Sequence, residues 1–185
     1  MVAPLQSGTA RADTPREQVT LVPMGAARLR VTAFPTAAPD GRPWTPEPAY
    51  HRIGNRHSGK VLAVDGMSLE DGGRVVQFDN SGTGDHAWQL IDRGAGGLTL
   101  RNGHSGKVLG VEGASTANSA RCVQDTDDGA AHLRWERVDQ GDGWFLLRNR
   151  HSGHVIGVDG MSTSNSAQVV QYEDNGTADH LWRLI

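Results

Sequence analysis

The sequence predicts an all-β fold built from three copies of one 47-residue unit, and three observations carry that prediction. The stretch from Asn149 to Ile185 opens N-R-H-S-G-H-V-I-G-V-D-G-M-S, passes through V-V-Q-Y and closes D-H-L-W-R-L-I. The stretch from Asn55 to Ile91 agrees with it at 21 of 37 positions without a gap, too many for coincidence. A middle copy shares Asn102, His104, Ser105, Gly106, Val108, Val111, Gly113, Val123, Gln124 and Trp135, and Trp88, Trp135 and Trp182 stand 47 residues apart. Self-similarity at a fixed period marks a repeat architecture. Composition supplies the second observation, because 21 of the 24 glycines follow Tyr50 and no proline follows Pro48. The third is a series of short apolar runs separated by turn clusters, the pattern of a sandwich or barrel.

In chain order, residues 1–17 are polar and irregular. Gln18 to Phe34 alternates Val19, Leu21 and then Leu29, Val31, Ala33 with polar neighbours, broken at Pro23-Met24-Gly25. Such alternation predicts a hairpin of half-buried strands. Two strands alone are marginal in water, so residues 1–34 read as the tail of an upstream domain. Residues 35–48 hold five of the eight prolines and predict a semi-rigid linker. The repeats then span about 49–95, 96–142 and 143–185. Each offers four candidate strands, among them Val61–Val64, Val75–Phe78, Leu98–Arg101, Trp144–Arg148 and Val169–Tyr172, between turns H-S-G, D-G-M-S and D-N-G-T. A propeller needs at least about four blades, so three copies close as hairpins about a pseudo-threefold axis. The three tryptophans read as structural anchors near that axis.

Composition narrows the function. Net charge is −3 without a basic run, which argues against a nucleic-acid partner. No run of about 18 apolar residues exists to span a membrane. The first residues, M-V-A-P-L-Q-S-G-T-A-R, lack the apolar segment of a signal peptide. The single Cys122 occupies the position of Val75 and Val169 and reads as a small core hydrophobe. His57, His104 and His151 read as turn residues rather than metal ligands. The acidic loop Asp125–Ala130 lacks the bidentate Glu of a calcium loop. No G-x-S-x-G, G-x-G-x-x-G or P-loop is present, and no metal, cofactor or catalytic residue is expected.

Three copies with S-G-(K/H)-V-(L/I)-x-V near the start and Q-(F/Y)…x-x-x-W near the end resemble the ricin-type β-trefoil lectin domain, also known as the family 13 carbohydrate-binding module. The resemblance covers about residues 48–185 and implies a β-trefoil that binds carbohydrate without catalysis. Separately, E-Q-V-T-L-V-P-M-G-A-A-R-L-R-V-T-A-F-P is similar to the C-terminal end of β-L-arabinofuranosidase-type glycoside hydrolases. Together the two imply an extracellular module attached to a glycoside hydrolase catalytic domain, with plant-type polysaccharide as partner.

A sugar presents an apolar face and a rim of hydroxyls, so a shallow site needs a ring plus carboxylate, amide or imidazole groups. In the ricin-type pattern each copy offers an acid after its first strand, an aromatic on its third, and two polar residues before x-Trp. The positions that match are Asp65, Phe78, Asp85 and His86 in copy one, and Asp159, Tyr172, Asp179 and His180 in copy three. Copy two has Asp125, His132 and Leu133 there, and is expected to be silent. The family's usual pocket aspartate is replaced by Ala63, Gly110 and Gly157. Asp65 and Asp159, two residues later, share a strand face with those positions and reach the pocket if the strand continues. They read equally as turn residues. The alternative to a lectin is a structural or protein-interaction trefoil.

Overall fold

The computed structural model describes residues 49–185; the predicted hairpin and linker lie outside the described residues. Thirteen strands follow in order: β1 (Tyr50–His51), β2 (Ile53–Asn55), β3 (Val61–Val64), β4 (Gly73–Phe78), β5 (Trp88–Asp92), β6 (Leu98–Asn102), β7 (Val108–Val111), β8 (Cys122–Asp125), β9 (Trp135–Asp139), β10 (Phe145–Asn149), β11 (Val155–Val158), β12 (Ala167–Tyr172) and β13 (Trp182–Leu184). Each copy contributes four, with the first strand of copy one split at Arg52 into β1 and β2. Strand boundaries match the sequence reading at Val61–Val64 and differ from it by one or two residues elsewhere. Trp144 falls just outside its strand and lies half-buried at the surface, with Arg183 and Arg56 guanidinium carbons 4.8 and 5.5 Å from its ring.

All pairing is antiparallel. Strands β1/β2, β5, β6, β9, β10 and β13 close on themselves, since β5 pairs β1 and β6, β9 pairs β6 and β10, and β13 pairs β10 and β2. The remaining strands form hairpins β3–β4, β7–β8 and β11–β12, and β4 meets both β8 and β12 about the threefold axis. A barrel of six strands capped by three hairpins is a β-trefoil. Closure removes the sheet edges that would otherwise seek partners.

The core explains why the tryptophans recur. Trp88, Trp135 and Trp182 are fully buried and pack with Ile53, Leu100, Phe145, Leu147 and their neighbours. Each indole N–H donates to a backbone carbonyl 26 residues earlier: Leu62 at 3.0 Å, Leu109 at 2.9 Å and Ile156 at 3.2 Å. Burial of such a ring stabilises by roughly 4 kcal/mol before entropy is counted. Cys122 is buried in the same core, as expected of a small hydrophobe, and burial pushes its thiol pKa well up. At the axis the Gln168 side-chain amide donates to the carbonyls of Val75, Cys122 and Val169, one from each copy.

A polar relay joins each copy to the one before it. Asn55, Asn102 and Asn149 accept from the backbone N–H groups of the following His and Ser, folding the H-S-G turns. The hydroxyls of Ser58, Ser105 and Ser152 donate to Gln77, Gln124 and Gln171 at 2.6–2.7 Å. Those glutamines are buried, and each donates to two carbonyls in a neighbouring copy's loop: Ser162 and Ser164, Ser68 and Glu70, Ser115 and Ala117. A buried amide must be satisfied, and here all its groups are.

Candidate functional site

Each site is built on one hairpin and on the turn that precedes the copy's tryptophan. In copy three, Tyr172 ends β12, Asp159 opens the 3₁₀ turn Asp159–Met161, and Asp179 and His180 lie in the 3₁₀ turn Ala178–His180. All four line one cavity of about 310 Å³. In copy one, Phe78, Asp65, Asp85 and His86 line a cavity of about 400 Å³ in the corresponding place. The structure therefore brings each predicted quartet together. The relay reaches this point as well: Asn55 Nδ2 donates to the Asp179 carbonyl and Asn102 Nδ2 to the Asp85 carbonyl, both at 2.7 Å, fixing the turn that carries each Asp-His pair.

The Asp-His pairs are buried, each residue 3–4% exposed. In copy one, His86 Nε2 stands 3.3 Å from Asp85 Oδ2. The Ser81 N–H donates to His86 Nδ1 at 3.3 Å, so that nitrogen is the acceptor and Nε2 carries the proton toward Asp85. Burial holds His86 below the usual histidine pKa; Asp85 opposes that shift and Arg52 adds to it. In copy three, His180 Nε2 is 3.6 Å from Asp179 Oδ2, and Nδ1 faces Asp174 at 3.9 Å without a hydrogen bond. One carboxylate oxygen of each pair, Asp85 Oδ1 and Asp179 Oδ1, has no hydrogen-bond partner among the described residues.

The residues in the family's aspartate position explain how the histidines settle. A Cβ on Gly157 would stand 2.3 Å from His180 Cδ2 and 3.0 Å from Asp179 Oδ2, so the imidazole rests on bare backbone. Ala63 supplies that methyl in copy one, where His86 instead meets Ser81 and the Phe78 ring, 6.0 Å between centroids. In copy two a Cβ on Gly110 would stand 2.4 Å from Leu133 Cδ2: the buried leucine lies where His180 lies in copy three. Asp125 replaces the ring and accepts from the Gly72 N–H.

Two expectations need correcting. The acids follow the second strand of each copy, β3 or β11, not the first. Those strands end at Val64 and Val158, so Asp65 and Asp159 stand in a turn and the shared-face argument does not apply. Gly66 and Gly160, at φ of 60° and 59°, redirect the chain, and the acids reach the cavities from the turn itself. Both readings of these residues hold together. Asp65 is spent on Arg74 at 3.2 Å, and its counterpart Glu112 on Arg121 at 2.7 Å. Gln168 replaces that arginine in copy three, leaving Asp159 without a cation partner among the described residues. His57, His104 and His151 stand exposed at their turns. In the acidic loop, Asp127 takes Arg134 at 2.7 Å and Arg93 at 3.0 Å.

Among the lining residues that sequence reasoning missed are Met67 and Met161, Ser81 and Asn175, Thr83 and Thr177, and Ser119. Ser119 comes from the loop of copy two, held where its N–H donates to the Gln171 carbonyl, and no periodicity within one copy points to it. The methionines carried a signal, the repeated D-G-M-S, which read only as a turn.

The model of the ricin-type beta-trefoil lectin domain-like family matches three overlapping stretches, residues 40–125, 85–172 and 131–185. No curated protein matches the chain. Among solved structures, the designed threefold-symmetric protein ThreeFoil is 42% identical, with a TM-score of 0.72 over 74% of this chain and 97% of its own. The exo-β-1,3-galactanase 1,3Gal43A from Clostridium thermocellum is 30% identical, TM-score 0.73, over 78% of this chain and 31% of the galactanase. The chain thus spans under a third of that enzyme. The ricin B-like lectin of Macrolepiota procera, solved with lactose, is 18% identical, TM-score 0.65, over 76% of this chain and 97% of the lectin, and shares the fold.

Proposed function

Because the chain belongs to the ricin-type beta-trefoil lectin domain-like family, we propose that it is a non-catalytic carbohydrate-binding module with two sites, on copies one and three. One observation carries the reading: the copies that keep a ring also keep a cavity lined by that ring, an acid and a buried Asp-His pair. Phe78 or Tyr172 covers a sugar face. Asp85-His86 and Asp179-His180 meet its hydroxyls, and Asp65 and Asp159 approach from the side. The polar groups suit neutral hydroxylated ligands, since a carboxylate accepts while an imidazole N–H donates. Two weak sites on one rigid body gain avidity on a polymer.

The ligand class is a plant-type polysaccharide bearing arabinose, xylose or galactose, and the module holds a glycoside hydrolase to it outside the cell. Its likeness to part of a galactanase supports that association and makes β-1,3-galactan a polymer to test. The family 13 assignment and the arabinofuranosidase-type tail in residues 1–34 rest on sequence resemblance. Affinity electrophoresis through arabinan, xylan, arabinogalactan and β-1,3-galactan tests the reading. Retardation by one polymer, relieved by its free sugar and abolished in F78A/Y172A, supports it. Unchanged mobility in every gel would leave the protein-interaction trefoil, which the missing pocket aspartates at Ala63, Gly110 and Gly157 favour.

A further inference from the structure

Met67 and Met161 occupy a conformation that their side chains make costly. Each follows a left-handed glycine and is itself left-handed, at φ of 54° and 53°. An L-residue there crowds its Cβ against the backbone, a penalty glycine escapes. Both side chains are large and apolar yet 44% and 43% exposed, outside the buried core. Both line the cavities. Copy two bends the same way, with Ala114 at φ 51°, but carries only a methyl group. The long thioether therefore accompanies the aromatic: Met67 with Phe78, Met161 with Tyr172, and Ala114 with Asp125. The left-handed turn belongs to all three copies, so what accompanies the site is the long apolar side chain kept at this costly, exposed position, and that is grounds for a functional reading.

Strand register says where the methionine stands relative to the ring. Tyr172 pairs with Val155 at one end of its hairpin, and Val158 pairs with Val169 at the other, with Met161 in the turn beyond. Phe78, Val61, Val64 and Met67 repeat the arrangement. Three strand steps separate the two ends by about 10 Å. Apolar contact needs heavy atoms within about 4.5 Å, so a sugar ring stacked on the aromatic leaves the methionine for something further along. A flexible, polarizable thioether suits an irregular apolar surface.

We propose that Met67 and Met161 form a second, apolar subsite in each cavity. It receives the unit linked to the sugar stacked on Phe78 or Tyr172, so each site takes at least a disaccharide. The inference rests on the carbohydrate-binding reading.

The test compares wild type, M67G/M161G and A114G by affinity electrophoresis in arabinan, xylan, arabinogalactan and β-1,3-galactan, and by thermal melting. Glycine relieves the left-handed strain, so both variants melt higher than wild type, the double variant by about 5 °C. Only M67G/M161G weakens retention, by about tenfold in apparent affinity, and it no longer distinguishes the retaining polymer's free monosaccharide from its disaccharide as competitor. Wild-type retention in M67G/M161G overturns this inference and leaves the carbohydrate reading standing. A melting point below wild type in that variant shows the methionines as packing and also overturns it. A wild-type chain retarded by no polymer overturns the carbohydrate reading, and the subsite with it.

Discussion

Copies two and three differ less in their frame than in what the frame carries. Both place a tryptophan N–H on a carbonyl 26 residues back and run the same Asn–Ser–Gln relay into a neighbouring loop. On that common frame, copy three sets His180 on the bare backbone of Gly157, while copy two sets Leu133 on Gly110. The hairpin needs something bulky over this glycine, and either a site residue or a plug satisfies it. On the proposed reading fold and binding are specified by different positions, and substitutions should separate them.

The sharpest separation is Trp135→Ala against Tyr172→Ala. Trp135 belongs to the copy that lacks a ring, yet its removal opens a large cavity in the shared core. It should cost about 3–5 kcal/mol in urea unfolding. Tyr172 is 38% exposed, and its loss should change stability by under about 0.5 kcal/mol while lowering polysaccharide retention. A Tyr172→Ala variant that unfolds as easily as Trp135→Ala would mean that site and frame are one structure. Between these extremes, Gln124→Ala leaves Ser105 and the carbonyls of Ser68 and Glu70 without their buried partner, and should cost about 2–3 kcal/mol.

Gly157→Ala asks whether copy three can be made like copy one, which already has Ala63. The added methyl would stand 2.3 Å from His180, so the ring must move, at a cost of about 1–3 kcal/mol. Retention through copy three should fall when measured with Phe78→Ala in the background. Gly110→Ala meets Leu133 at 2.4 Å and should cost a similar amount without touching retention. Equal retention for Gly157→Ala and its parent would show that the position of His180 on the backbone is immaterial to binding.

These contrasts mark what the sequence makes legible. Repeat period, strand order and the role of the tryptophans follow from spacing, because a threefold fold imposes one pattern three times. The site quartets are legible through the resemblance to the ricin-type pattern, whose acid, ring and polar-pair positions copies one and three both match. Three features were not. Whether Asp65 and Asp159 sit on a strand or in a turn depends on where pairing stops, and pairing stops at Val64 and Val158 through the left-handed glycines that follow. Ser119 reaches the cavity of copy three from copy two, a contact between copies that no within-copy alignment contains. The neutral tautomer of His86 depends on one backbone N–H, that of Ser81.

Copies one and three differ in the charge they present. Asp65 shares its carboxylate with Arg74, whereas in copy three Gln168 stands at the arginine's position with its amide turned to the axis carbonyls, and Asp159 has no cation partner among the described residues. Asp159→Asn, in a Phe78→Ala background, should weaken retention about fivefold if the carboxylate accepts from a sugar hydroxyl, since the amide keeps a neutral acceptor and loses only the roughly 1 kcal/mol by which a charged acceptor exceeds it. Asp65→Asn, in a Tyr172→Ala background, should do less, because the ion pair already satisfies part of that group. The same effect in both backgrounds would show that Arg74 does not compete with the ligand.

The smallest effect concerns a proton on His86 of copy one. His86 is held below the ordinary histidine value of 6.5, chiefly by burial, with Asp85 opposing and Arg52 assisting. Above that value both folded and unfolded chains keep the imidazole neutral, and stability is indifferent to pH on this account. Below it the unfolded chain takes up a proton that the folded chain resists, so the unfolded state binds more protons and stability falls as pH falls. The loss grows until the folded value is passed, where both states are protonated. Asp71 and Asp79 are held below the carboxylate value of 3.8, chiefly by hydrogen bonds from Lys107 and Lys60, so their contribution fades only in stronger acid. The two windows are therefore separate. Urea midpoints at about pH 7.5 and about pH 5.5 should drop in wild type and drop less in His86→Gln, which removes the titrating ring from copy one. An equal drop in both proteins would assign the acid sensitivity to groups other than the copy-one pair.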